Sequence, residues 1–533
     1  VTTAYGNKAA IEAMPGVDYV YVAPMFSLPE DLSPMTANAT TMIGADIVNA
    51  TGYTGKGMKV AILDTGISLG HPSFGALSED KLTDSSLTAE KVATLWNTLN
   101  ASKTSLRNQA YYSTKIPFIF NYNGMDFDVS HNTAGHDHGT HCAGIAAANR
   151  IASSEVVGVA PDAQIVVMQV FSRSGASWAT IMAGLEDCVR LDVDACNLSL
   201  GSAAGYTTGN MSEVLALFEK TDIQVVIAGG NDTNNAYQNL TGTNLSKTGN
   251  PDNGLVGTPS TLLAALSIAS VDNDGAQMLY FTVGEKKIGF NDTAQTAATR
   301  FISNFASRTL EFVFVDGFGT AGDFEKVNVS RGGNSFPEKQ ANAQAAGAIA
   351  CVVYNNASGM INMQINDGEG NIPAIFISQS FGLYLKEQYE AGVRSLTVCD
   401  GTPTLIKLDR TVSDFSSWGV TPDLKLKPEL AGVGGNIYST RDPSISGSNY
   451  GYMSGTSMAT PQITGAMAVL VEYLRETYPE FKEAELRRLA ANLMMSTANP
   501  VMAALNLEVS PRGQGAGLAD LTRATQTLAY LSN

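Results

Sequence analysis

The chain has no run of about 18 apolar residues, the length a helix needs to cross a bilayer, so no part of it is expected to span a membrane. Cysteine is scarce: Cys142, Cys188, Cys196, Cys351 and Cys399 are odd in number, dispersed, and without a Cys-x-x-Cys pair. That pattern excludes a zinc ribbon and a disulfide framework, and leaves five small buried hydrophobes as the expectation. Basic residues are also few, 33 Lys and Arg against 50 Asp and Glu, giving a net charge of −17. Such a chain repels polyanions, which excludes nucleic acid as a partner bound through its phosphates. Neither an initiator Met nor a signal-peptide pattern stands at Val1, so the sequence reads as a processed or excised product.

What is present is ordinary globular composition, 44% hydrophobic and 16% charged, spread over 533 residues, which is too long for one compact core and implies two or more domains. Residues 1–35 read as an arm, in which Val17-Asp-Tyr-Val-Tyr-Val-Ala23 alternates like a strand before Pro24, Pro29 and Pro34. An α/β pattern follows. Met58-Lys-Val-Ala-Ile-Leu63, Gln164-Ile-Val-Val-Met-Gln-Val170, Val193-Asp-Ala-Cys-Asn-Leu-Ser-Leu-Gly201, Ile223-Gln-Val-Val-Ile-Ala228 and Leu266-Ser-Ile-Ala-Ser-Val-Asp272 are short apolar runs typical of doubly buried strands. Trp178, Ile181, Met182, Leu185, Cys188 and Val189 form a core-facing helical stripe between two of them, and Val214, Leu217 and Phe218 suggest another helix. The alternation predicts right-handed βαβ units around a parallel sheet. The polar stretch 77–130 offers no assignable element. From 276 to 405 the texture changes to short β-like runs, among them Phe312-Val-Phe-Val315, with a helical patch over 338–346. This block reads as a mainly-β insertion, because the α/β pattern resumes after it and occupies 36–275 and 406–533.

Four positions carry chemistry. Asp64 ends the first buried strand, where open α/β sheets place their sites, although Asp-Thr-Gly read alone is equally a surface turn. His136-Asp-His138-Gly-Thr-His141 gathers three of the chain's five histidines ahead of a small-residue helix and suits proton shuttling near neutral pH. A metal cluster is the competing reading, but the segment lacks the Glu of a His-Glu-x-x-His helix, so no metal is expected. Asn231 follows Gly229-Gly230 at another strand end, or is simply a turn residue. Ser457 lies between Thr456 and Met458 at a helix start, with its hydroxyl near the positive helix end, and Pro461 is tolerable only because it lies near that start. Asp64, His138 and Ser457 are the residue types of a nucleophilic triad. In it, His takes the serine proton, a buried carboxylate holds the imidazole, and Asn231 would donate to a developing oxyanion.

Val60-Ala-Ile-Leu-Asp64-Thr-Gly, His138-Gly-Thr-His-Cys-Ala-Gly and Gly455-Thr-Ser457-Met-Ala-Thr-Pro resemble the three signatures of the subtilisin-like serine proteases, across roughly 45–275 and 409–520. The resemblance implies a three-layer fold and secreted or cell-surface endopeptidase activity on proteins or peptides. It makes Asp64 the orienting acid, His138 the base, Ser457 the nucleophile and Asn231 the oxyanion donor, while His141 matches a position that is not the base. It also implies that Ser199-Leu200-Gly201 pairs with the substrate backbone. No cofactor is implied for catalysis; structural calcium is frequent in the family, but its ligands are not assignable here. Ala228-Gly-Gly-Asn231 departs mildly from the more usual Ala-Ala-Gly-Asn. The insertion resembles a protease-associated (PA) domain at Arg331-Gly-Gly, Lys339-Gln-Ala-Asn-Ala-Gln-Ala-Ala-Gly-Ala348 and Val352-Val-Tyr-Asn-Asn356, as in cell-envelope and C5a-peptidase-like subtilases. The arm resembles the last strand of an inhibitory propeptide. The competing reading from another class is a binding protein on the same fold with a silent site.

Overall fold

The computed structural model describes residues 25–26, 39–131, 134–154, 156–202, 210–232, 255–315, 317, 320, 329–330, 333–356, 359–360, 363–504, 507–527 and 529–531. Seven strands form the central sheet: β1 (Lys59–Asp64), β2 (Phe118–Asn121), β3 (Gln164–Gln169), β4 (Ala195–Leu198), β5 (Gln224–Ala228), β6 (Leu266–Asp272) and β7 (Leu430–Gly435). Every pairing is parallel, and the spatial order is β7-β6-β5-β4-β1-β3-β2. The chain fills one side of β1 with β3 and β2, then crosses to β4 on the other. The switch point therefore flanks β1, and in open sheets the crevice at the strands' carboxyl ends opens there.

Alternation along β1 explains the layering. Val60 and Ile62 enter one core, Ala61 and Leu63 the other, and all four are buried, as a strand covered on both faces requires. The first core is completed by α1 (His138–Ala147), α4 (Thr456–Thr477) and α5 (Glu483–Thr497), the second by α2 (Trp178–Arg190) and α3 (Asn210–Phe218). The expected stripe of α2 is buried at Trp178, Ile181, Leu185 and Cys188 and partly covered at Met182 and Val189, whereas Leu217 of α3 faces solvent. Helix α4 runs through the protein interior, with every residue from Thr456 to Val471 buried. Each large apolar side chain buried there contributes roughly 1.5–3 kcal/mol, which anchors the helix start where Ser457 sits.

Two strand expectations change. The stretch 77–130 contributes the edge strand β2, whose four residues are too short a run to stand out in a polar context. Residues 312–315 are not a strand: the strand is Thr309–Glu311, which pairs with Ser395–Val398, and Val315 enters a separate small core with Ala343, Cys351, Val353 and Phe376. The boundaries expected for an insertion, at 276 and 405, fall inside an antiparallel ribbon of Gly275–Met278 and Thr404–Lys407, which sets the two ends of that block side by side. Beyond that ribbon a separate apolar cluster, including Phe281, Ile288, Phe301, Phe381 and Val398, packs without the central sheet. Three helices (Phe301–Phe305, Phe336–Ala345 and Gln379–Glu390) lie among its short strands. In the arm, Met25–Phe26 pairs antiparallel with Ala176–Ser177, while Val17–Ala23 and Arg331-Gly332 lie outside the described residues. Among the described residues no helix is long and apolar enough to cross a membrane.

Candidate active site

Asp64 is the last residue of β1 and His138 the first of α1, and close approach of the two elements makes them neighbours. Gly139 permits it, because a Cβ there would collide with the Gly66 carbonyl oxygen, while Gly139 N–H donates to Thr65 Oγ1 at 2.9 Å. His138 Nδ1 then lies 2.9 and 3.0 Å from the two oxygens of Asp64, and both side chains are buried. A carboxylate only accepts, so Nδ1 carries the proton and the lone pair of neutral His138 resides on Nε2. Nε2 is buried and has no partner among the described residues. Burial works against the His138 charge, but the Asp64 carboxylate outweighs it and holds the imidazolium well above its ordinary range.

His141 behaves differently. Its Nε2 lies between the carbonyls of Ile437 (3.1 Å) and Gly451 (3.2 Å) and therefore donates. Burial first, then Arg441, lowers its pKa to about 3, so it stays neutral and structural. Asp137, at the amino end of α1, is paired with Arg441 at 2.7 and 3.0 Å. The three histidines of the motif thus do not form a ligand set. Asp64, His138 and Cys142 do bring donor atoms within 4.8 Å of one another. Nδ1 is committed to Asp64, however, and burial pushes the Cys142 thiol up, so the cluster is hydrogen-bonded rather than metal-binding in character. All five cysteines are free and buried.

Ser457 is the second residue of α4, and Cys142 Sγ links its carbonyl to His138. Its Oγ donates to the Ser199 carbonyl at 3.1 Å, and its own carbonyl accepts from Ser199 Oγ at 2.8 Å and Cys142 Sγ at 3.4 Å. Ser199 lies just beyond β4, so the end of that strand and the start of α4 grip each other twice. Asn231 follows β5. Its Oδ1 accepts from Thr456 N–H (2.9 Å) and Thr456 Oγ1 (2.8 Å), and its amide Nδ2 has no partner among the described residues. The double glycine ahead of it is explained locally: Gly230 has φ +112°, and a Cβ on Gly229 would stand 2.9 Å from the Ile268 carbonyl oxygen. Leu200 is buried in the second core. The main-chain groups of Leu200 and Gly201 hold no partner among the described residues, whereas Ser202 is paired with Thr258 in both directions.

The structure therefore gathers Asp64, His138, Ser457, Asn231 and Ser199–Gly201 at the carboxyl edge of the sheet. Sequence reasoning missed Thr456, which orients Asn231, and the contacts of Cys142. The position of Cys142 was readable, since it stands four residues after His138 on the same helix face, and its Sγ lies 3.7 Å from Nδ1.

A PII-type proteinase of Lacticaseibacillus paracasei is 30% identical over 99% of this chain, and a PI-type proteinase of Lactococcus lactis subsp. cremoris is 31% identical over 99%. A C5a peptidase of Streptococcus pyogenes serotype M6 is 28% identical over 90%. The chain spans 29% of the length of each of the first two and 40% of the third. The model of the subtilase family matches residues 55–517, and with that match across most of its length the chain belongs to the subtilase family.

Proposed function

We propose that the chain is a serine endopeptidase acting on proteins or peptides outside the cell or at its surface. The observation that carries this reading is the buried Asp64–His138 pair, whose Nε2 has no partner among the described residues and whose neighbour Cys142 contacts both His138 Nδ1 and the Ser457 carbonyl at a helix start. Ser457 Oγ turns from the Ser199 carbonyl toward Nε2, gives up its proton there and bonds to the scissile carbonyl carbon. The electron pair of the C=O moves to oxygen, which Asn231 Nδ2 and the Ser457 N–H stabilise; neither has a partner among the described residues, the second because the first amides of a helix lack intrahelical partners. His138 returns the proton to the leaving amine. Water then repeats the sequence on the acyl-enzyme, with Asp64 holding the imidazole throughout. An extended substrate is accommodated by strand addition along Ser199–Gly201, where the main-chain groups of Leu200 hold no partner among the described residues. The localisation rests on the resemblance to cell-envelope and C5a-peptidase-like subtilases, and the insertion, read as a PA domain, is assigned to substrate choice.

Covalent labelling tests the reading. A fluorophosphonate probe should modify Ser457 in native protein and fail on denatured protein, with the adduct located by peptide mass spectrometry. Unlabelled native protein would favour a silent binding protein.

A pH prediction follows from the raised His138 pKa. Only neutral His138 accepts the serine proton, so kcat/KM should rise with pH through a midpoint above the ordinary 6.5. Stability runs the other way. The folded pKa exceeds the unfolded value of about 6.5, so the contribution of the pair is fully present below that pH and fades as pH rises through the folded value. Unfolding transitions of an Asp64→Asn variant and its parent, both made inactive by Ser457→Ala, should converge as the pH is raised. A gap that widens with pH would contradict the charge pairing.

A further inference from the structure

We infer that Ser199 acts through its side-chain hydroxyl as a positioning residue for the nucleophile, a role that rests on reading Ser457 as that nucleophile. The reason begins four residues downstream of it. In a regular helix the Ser457 carbonyl would accept from the N–H of residue 461, but residue 461 is proline, which has no N–H and whose ring crowds that same carbonyl. The first turn of α4 therefore carries a buried acceptor that its own helix cannot satisfy.

Ser199 Oγ fills the gap at 2.8 Å. Its direction is set by a third residue: Asn197 Nδ2 donates to Ser199 Oγ at 3.0 Å, so the single hydroxyl proton of Ser199 is committed to the Ser457 carbonyl. Cys142 Sγ, at 3.4 Å, is a weaker second donor to the same oxygen. Asn197 and Ser199 are both fully buried, so bulk solvent reaches neither contact. Because the chain from Asn197 to Ser199 is anchored in β4 of the sheet, the peptide unit carrying Ser457 is fixed to the rigid core rather than to a proline-interrupted helical turn. The position of that peptide sets where Oγ emerges, and a displacement near 1 Å at a reacting atom costs on the order of 100-fold in rate.

Proline at 461 also supplies the test, because alanine there restores an N–H aimed at the same carbonyl. Ser199→Ala should lower kcat on a short peptide by about 10- to 100-fold and leave KM within about threefold, since the lost contact acts on the nucleophile and not on bound substrate. The second-order rate of fluorophosphonate labelling, which does not depend on strand pairing, should fall in step. Pro461→Ala combined with Ser199→Ala should recover most of the loss, so the two substitutions should be strongly non-additive. If Ser199→Ala fails to fold, Ser199→Cys retains a weak donor, and the same comparison with and without Pro461→Ala reads the coupling. An unchanged labelling rate, a loss confined to KM, or additive losses in the double variant would each overturn the positioning role. Absence of labelling in the parent protein would instead overturn the nucleophile assignment.

Discussion

Ser457→Ala should abolish peptide hydrolysis while leaving the unfolding transition nearly in place. The expected loss in kcat is on the order of a million-fold, the scale measured for the nucleophile of subtilisin itself and borrowed here for a family member. The change deletes one oxygen from a buried site. The Ser457 carbonyl remains held by Ser199 Oγ and Cys142 Sγ, because neither bond involves the Ser457 side chain. What is lost structurally is one hydrogen bond, from Ser457 Oγ to the Ser199 carbonyl, worth about 0.5–1.5 kcal/mol net. In a chain of this size that moves the midpoint by no more than a few degrees, on the order of 2–4 °C per kcal/mol. Calorimetry and hydrolysis measured on the same preparation check both halves. Near-normal turnover would remove Ser457 from the mechanism, whereas a collapsed transition would mean that the Ser199 carbonyl bond is structural first.

The fold was legible wherever a local pattern had one solution. Six consecutive buried residues ending in Asp64, and a small-residue helix opening at His138, leave little choice but a parallel strand and a close-packed helix. Legibility failed where the deciding partner is remote. The edge strand Phe118–Asn121 is specified by its neighbour Gln164–Gln169 rather than by its own four residues. Residues 312–315 have strand-like composition, but beyond one bond from Phe312 N–H to the Arg394 carbonyl at 2.8 Å they form no strand pairing among the described residues.

The site divides the same way. Residue types and order pointed to Asp64, His138, Asn231 and Ser457, yet the contacts that aim them join positions 74, 225 and 258 residues apart. Nothing local in Gly455-Thr-Ser457 indicates that Thr456 turns the Asn231 amide. Asn197 shows the same blindness: nothing local in Asn197-Leu-Ser199 indicates that it is fully buried and that its amide serves Ser199. Pro461 was the one available clue to the Ser199 clamp, because a missing N–H is visible in sequence even when its substitute is not.

Asn231 gives the second large effect, and its two-ended bonding makes the test sharper than a single deletion. Loss of the equivalent donor in subtilisin costs about 100- to 1,000-fold in kcat, and Asn231→Ala is expected to fall in that range with KM little changed, because the amide meets negative charge only in the transition state. Alanine, however, also strips Thr456 N–H and Oγ1 of their acceptor, so a positional effect at the helix start would be mixed in. Asn231→Asp separates the two. It keeps an oxygen for Thr456 but replaces the Nδ2 donor with a second oxygen, which at neutral pH carries negative charge toward the developing oxyanion. The aspartate variant should therefore be at least as slow as the alanine variant, despite keeping the Thr456 contacts. Steady-state kinetics of both on one peptide, with the fluorophosphonate labelling rate beside them, decide the matter. If aspartate restores turnover to within about tenfold of the parent, the role of Asn231 is to hold Thr456, and the oxyanion donor must be sought elsewhere.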